Sequence, residues 1–210
     1  LRQCIQIDHI GPFQQDERTK ATHILTVIDT FTRWVELCPV KSTSEHDNIE
    51  AITDYCLRYG KPRCILSDHG SGFVGSVFKM FGQLAGINLQ TPEHVGDKQK
   101  LGIVERENRE VRRHLTQLTQ DLSLKHQWPI ATKFVQRIIN NAVHSSTGIA
   151  PAKLMYGTLI TSPEQPLFSL NDEEAVTRSD YLQDKLEIQG KVMKFIADYR
   201  HSKLSAQNKL

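Results

Sequence analysis

Three acidic residues stand where a carboxylate needs a chemical reason. Asp8 interrupts an otherwise apolar run, Cys4-Ile5-Gln6-Ile7-Asp8-His9-Ile10, although Asp is depleted in strands because its short polar side chain competes with the backbone. Asp68 follows Cys64-Ile65-Leu66 within Ser67-Asp68-His69-Gly70, at the carboxyl end of an expected strand, where open α/β sheets bind ligands. Glu105 lies near the start of an expected helix, in Gly102-Ile103-Val104-Glu105-Arg106. At about 100° per residue, Asn108, Arg109 and Arg112 fall within about 60° of Glu105. Val104, Val111, Leu115, Leu118 and Leu122 form a separate apolar stripe. A carboxylate heading a basic face suits a metal-and-phosphate site, the acid holding the cation and the arginines the phosphates. Hard oxygen donors select Mg2+ or Mn2+, and two such ions about 3.5–4 Å apart serve both the attacking and the leaving oxygen of a phosphodiester transfer. Taken singly, each acid has a plain structural use: Asp8 binding a backbone amide, Asp68 shaping a turn, Glu105 forming a surface ion pair.

The elements that must position these groups follow from pattern and punctuation. Residues 4–10 read as a strand ended by Gly11-Pro12, and 23–29 and 33–40 as a hairpin joined at Thr30-Phe31-Thr32. Helices are expected over 46–59, ended by Gly60, and over 74–85, with strands at 63–67 and 87–90. Thr91 to Lys100 lacks periodicity and reads as a loop, followed by helices at 102–122, 127–144 and 151–156. Pro163 and Pro166 mark a linker before a weaker amphipathic helix over 172–201, so the chain divides into a core, 1–160, and a helical extension, 161–210. The order implies an α/β fold with a mixed five-stranded sheet covered by helices, compatible with a ribonuclease-H-like architecture.

Bulk properties agree. The chain has 210 residues, 39% hydrophobic and 24% charged, with a net charge of +2, which supports a buried core and argues against global disorder. No run approaches the ~20 apolar residues of a membrane span, and no signal peptide is evident in the first ten residues. From Lys98 to Arg137 nine Lys/Arg face four acids, a basic region suited to nucleic acid or simply to a solvated helix face. The four cysteines, Cys4, Cys38, Cys56 and Cys64, form no C-x-x-C pair and read as buried, reduced thiols.

Together these segments resemble the integrase catalytic core of retroviruses and Gypsy-type LTR retrotransposons. The shared blocks are Ile7-Asp8-His9-Ile10-Gly11-Pro12, the strand pair around Val27 to Glu36, Ser67-Asp68-His69-Gly70-Ser71-Gly72-Phe73, Gly102-Ile103-Val104-Glu105-Arg106-Glu107-Asn108, and Asn140, His144, Thr147, Gly148 and Pro151. They cover roughly residues 3–157, and the 36 residues between Asp68 and Glu105 match the family's usual spacing closely. The resemblance implies a ribonuclease-H-like fold and a nuclear polynucleotidyl transferase that processes 3′ ends and joins element DNA to target DNA. It implies that Asp8, Asp68 and Glu105 hold two Mg2+ or Mn2+ ions and that His94, Asn108, Arg109 and Arg112 meet double-stranded DNA. It also implies self-association as a homodimer or larger assembly. Asp29 reads as closing the hairpin and His144 as pinning its helix. Glu107 and Glu110 are rivals to Glu105 but point away from it on the helix. The sequence departs from the family at Val95-Gly96, where Pro-Gln is usual, in a few extra residues between His94 and Gly102, and at Gly72, where Glu often precedes the Phe. The zinc-binding module that precedes such cores and the small β-barrel that follows them are not evident, so the chain reads as a piece of a larger protein. The alternative reading is a domesticated, integrase-derived module that binds DNA or protein without catalysis.

Overall fold

In the computed structural model, residues 4–92, 102–121 and 128–157 are described. His94, the extra loop residues and the 161–210 extension with its expected helix lie outside them. β1 (Cys4–Ile10), β2 (His23–Asp29) and β3 (Val35–Val40) form an antiparallel meander. β4 (Cys64–Leu66) and β5 (Asn88–Gln90) add to the other edge of β1 in parallel, giving the order β3-β2-β1-β4-β5. The hairpin turn is closed by Asp29, fully buried, whose Oδ1 accepts from the backbone of Phe31 at 2.8 Å and Thr32 at 3.1 Å. The expected start of β3 at residue 33 moves to Val35, because Arg33 adopts φ 64° within that turn.

Helices cover both faces. α1 (Glu45–Tyr59), α2 (Ser71–Val74) and α3 (Ser76–Ala85) lie on one side, and α4 (Gly102–Asp121) and α5 (Trp128–Asn141) on the other, with α6 (Pro151–Tyr156) against α5. The pleat assigns each strand residue to a layer. On β1, Ile5 and Ile7 join the cluster under α1 and α3, whereas Ile10 and the half-buried Cys4 join the cluster under α4 and α5. Val104, Val111, Leu115 and Leu118 are the buried stripe of α4. The helix expected over 74–85 starts two residues later, at Ser76 after the extended Gly75, and the separate short α2 precedes it. Glu45 supplies the missing cap, its carboxylate accepting from the backbone of Phe78 at 2.6 Å.

The cysteines correct the expectation of four buried thiols. Cys4 and Cys64 are register partners on β1 and β4 and are joined as a disulfide, while Cys38 and Cys56 are free; all four are half-buried. Burial pushes the Cys38 thiol up to about 12, so it carries no reactive thiolate at neutral pH.

Candidate metal and nucleic-acid site

β1 and β4 run parallel, with Gln6 opposite Leu66. Asp8 lies two residues beyond Gln6, within β1, and Asp68 two residues beyond Leu66, just past the carboxyl end of β4. By alternation Asp8 shares the face of Gln6, the face that α4 covers. Gln6 Oε1 accepts from the backbone N–H of Val104 at 3.1 Å, and Asn108 Nδ2 donates to Asp8 Oδ2 at 2.6 Å. These bonds tie the first turns of α4 to β1 on either side of Glu105.

The electrostatics agree with a placement of Asp68 near Asp8. The Asp8 carboxyl is raised above the usual carboxylate range, chiefly by burial and further by the negative charge of Asp68. A hydrogen bond from the His9 backbone N–H, at 2.7 Å to Oδ1, the Asn108 amide and the charge of Arg112 pull the other way. Asp68 and Glu105 are exposed and Asp8 is half-buried. Asp68 Oδ1 accepts from the backbone of Gly70 at 2.9 Å. The two plain uses expected of single aspartates, an amide contact and a turn, are therefore both present: each Asp8 oxygen accepts one hydrogen bond, and the turn engages only Oδ1 of Asp68.

The structure brings Asp8, Asp68, Asn108 and Arg112 together. It does not close Glu105 onto them: among the described residues no three His, Cys, Asp or Glu side chains are gathered tightly enough to hold a metal ion. Two apposed carboxylates whose mutual repulsion raises one of them do fit a hard divalent cation, which would neutralise both. Arg109 and Arg112 are exposed on α4, as a phosphate-binding role needs. Asn108 is not: it is 6% exposed and committed to Asp8, because it sits where the polar face meets the apolar stripe.

The rivals to Glu105 are occupied elsewhere. Glu107, 5% exposed, bonds His144 Nε2 at 2.9 Å and so joins α4 to the end of α5. Glu110 pairs with Arg113 at 2.6 Å. His144 thus pins its helix through a partner 37 residues away that the sequence does not reveal. Two further residues near the site, His9 and Asn48, escaped the sequence reading. His9 carried no signal beyond its adjacency to Asp8, and Asn48 none at all.

Residues 2–93 match the sequence model of the Integrase core domain, a span that includes Asp8 and Asp68. The Pro-Pol polyprotein of Simian foamy virus type 1 is 30% identical over 178 residues, 84% of this chain. That of Feline foamy virus is 32% identical over 153 residues, 72% of this chain. The chain spans only 14% and 12% of those polyproteins, respectively. Among solved structures, the HTLV-2 integrase catalytic core domain in complex with magnesium, in its trimeric form, superposes with a TM-score of 0.60 at 20% identity, covering 74% of this chain and 97% of that one. The BIV integrase catalytic core gives 0.59 at 18% identity, covering 75% and 95%. A simian T-cell lymphotropic virus intasome gives 0.63 at 18% identity, covering 80% and 60%. At these identities the likeness shows the fold, a ribonuclease-H-like sheet with flanking helices.

Proposed function

Because this chain is a retroviral-type integrase core, homologous to regions of foamy-virus and other retroviral Pol polyproteins, we propose that it is a divalent-metal-dependent polynucleotidyl transferase acting on element and target DNA in the nucleus. The observation that carries this reading is the nearness of Asp8, within β1, to Asp68, just past the end of the adjacent parallel strand β4, with Asp8 joined to α4 by Asn108. Asp8, Asp68 and Glu105 are the residues assigned to hold Mg2+ or Mn2+. Held there, the ions would supply Lewis-acid stabilisation of the phosphoryl oxygens and help to activate the attacking hydroxyl. Asn108 keeps Asp8 in place through its amide, leaving Asp68 and Glu105, both exposed, to meet substrate. Arg109 and Arg112 hold phosphates, and His94 is assigned to the DNA as well. In 3′-end processing water attacks the phosphorus. In strand transfer the freed 3′-hydroxyl does so, forming one O–P bond as the old 3′-O–P bond breaks and giving its proton to solvent while the leaving 3′-oxygen gains one. The open setting of the carboxylates suits a polymer, and the dimeric and trimeric forms of the HTLV-2 core and the simian T-cell lymphotropic virus intasome support self-association on DNA.

A second reading, a domesticated module that binds DNA or protein without catalysis, draws on the absence of a gathered three-carboxylate cluster among the described residues. A disintegration assay on branched DNA separates the two. It is run in Mg2+ and in Mn2+ on the chain and on Glu105→Gln. Metal-dependent joining that is lost in the variant supports the transferase. Folded protein that binds DNA yet joins nothing with either metal supports the binding module.

A further inference from the structure

Asn48 joins β1 to α2, the short helix that follows Asp68, from the face of the sheet opposite α4. It lies in the first turn of α1 and is fully buried. Its Nδ2 donates to the carbonyl of Gly72 at 3.0 Å and, at a longer 3.4 Å, to that of Thr43. Carbonyl oxygens only accept, so these two bonds fix the orientation of the amide. Oδ1 must then face His9 Nε2, 2.8 Å away, and the ring must donate there. The His9 ring also stacks on Phe73, with centroids 4.6 Å apart and planes 7° from parallel. Its backbone N–H is the donor to Asp8 Oδ1. Gly72 closes the other side: a Cβ there would overlap the Thr43 carbonyl oxygen and press against Asn48 Nδ2. The family's common Glu does not fit this contact, which accounts for the glycine.

One buried amide therefore links the residue after Asp8 to α2, four residues beyond Asp68. We propose that Asn48 is a positioning residue that, through His9 and Gly72, sets the separation of Asp8 and Asp68 and thereby the affinity of the pair for a divalent cation. This rests on the reading of the two aspartates as metal ligands. Removing the amide leaves the His9 ring Nε2–H and the Gly72 carbonyl without their Asn48 partner. Either strand end is then free to drift relative to the other, while β1–β4 pairing further back is untouched. Partners of ligand residues typically change metal affinity 10–100-fold when removed. Mg2+ is the more sensitive probe because it demands near-ideal octahedral geometry.

The test is calorimetric titration of Mg2+ and of Mn2+ into the whole chain, wild type and Asn48→Ala, well below each protein's Tm, with the disintegration assay alongside. The expected result is about a tenfold loss of Mg2+ affinity and a smaller loss for Mn2+. His9→Ala should behave like Asn48→Ala, and His9→Gln, which keeps a donor toward Oδ1, should recover part of the affinity. A lowered Tm with unchanged metal affinity would overturn the proposal, since that is what a merely structural amide gives. If Asn48→Ala does not fold, the His9→Ala and His9→Gln pair decides on the same criterion. Wild type that binds neither metal overturns the metal reading and this inference together. Wild type that binds metal, loses it in Asp8→Asn and keeps it in Asn48→Ala overturns this inference alone.

Discussion

Replacing Asp8 by Asn is expected to change the metal-free protein and its response to metal in opposite senses. Neighbouring strands lie ~4.8 Å apart, a spacing at which two unit charges repel by about 3.5 kcal/mol at an effective dielectric of 20 and about 0.9 kcal/mol in water. Asp68 is exposed, so the lower figure is the closer one. The carboxylate of Asp8 also accepts two hydrogen bonds. Its raised pKa nevertheless shows that burial and repulsion outweigh them. A neutral amide keeps the shape. Asn108 Oδ1 is buried and makes no hydrogen bond, so its amide can turn to accept from the new one. The metal-free variant should therefore gain about 1 kcal/mol, or roughly 2–4 °C in Tm for a chain of this size. In return it should lose the stabilisation that metal confers, about 2.7 kcal/mol at a hundred times Kd. Differential scanning calorimetry in EDTA and in millimolar Mg2+ or Mn2+ reads both effects. The sign with pH is also fixed. The folded-state pKa of Asp8 lies above its unfolded value, so its contribution favours the fold below the unfolded carboxylate pKa and is lost as pH rises through the folded one. The advantage of the variant should be full near neutrality and vanish in acid. A variant less stable than wild type in EDTA at neutral pH, or one that keeps the metal-induced gain, refutes the reasoning.

Two further outcomes follow from contacts on α4. His144→Ala leaves the buried Glu107 carboxylate without its partner and should cost roughly 2–3 kcal/mol in urea unfolding, with metal titration unchanged. Arg112→Ala should reduce the salt slope of DNA binding by about 1. Because the Arg112 charge holds the Asp8 carboxyl down, the same change should move the onset of metal binding to higher pH, read by titrating Mn2+ at several pH values.

Much of the architecture was legible because strands and helices are written locally. Cys4–Ile10 and His23–Asp29 fall on their expected bounds, since short apolar runs end at Gly-Pro and at an Asx turn. The stripe of Val104, Val111, Leu115 and Leu118 was a matter of helical period. Asp8 was legible as an acid inside a strand, which does not favour it, and Asp68 as an acid just past a strand's carboxyl end, where sheets bind ligands. What escaped was polar contact across long stretches of chain. Asn108 was expected to meet DNA, yet turns to Asp8, 100 residues away. Asn140 matched a motif but carried no hint that it brackets the backbone of Val35, accepting at 2.8 Å and donating at 2.7 Å to steady the edge strand. The break between α2 and α3 depends on a cap from Glu45, 33 residues upstream of Phe78. No local rule encodes these, because each partner is chosen by the fold.

The crosslink between Cys4 and Cys64 shares an arithmetic with the site. Its partners are 60 residues apart, the same offset that separates Asp8 from Asp68 four positions further along each strand. A slip of one residue between β1 and β4 would turn one aspartate to the opposite face of the sheet, and it would part the cysteines as well. The sulfur pair is thus a built-in ruler for the alignment of the two carboxylates. Peptide mapping of non-reduced protein reads that ruler without metal, DNA or turnover: a Cys4–Cys64 crosslinked peptide marks a molecule whose two strands are aligned, whether or not its site is active.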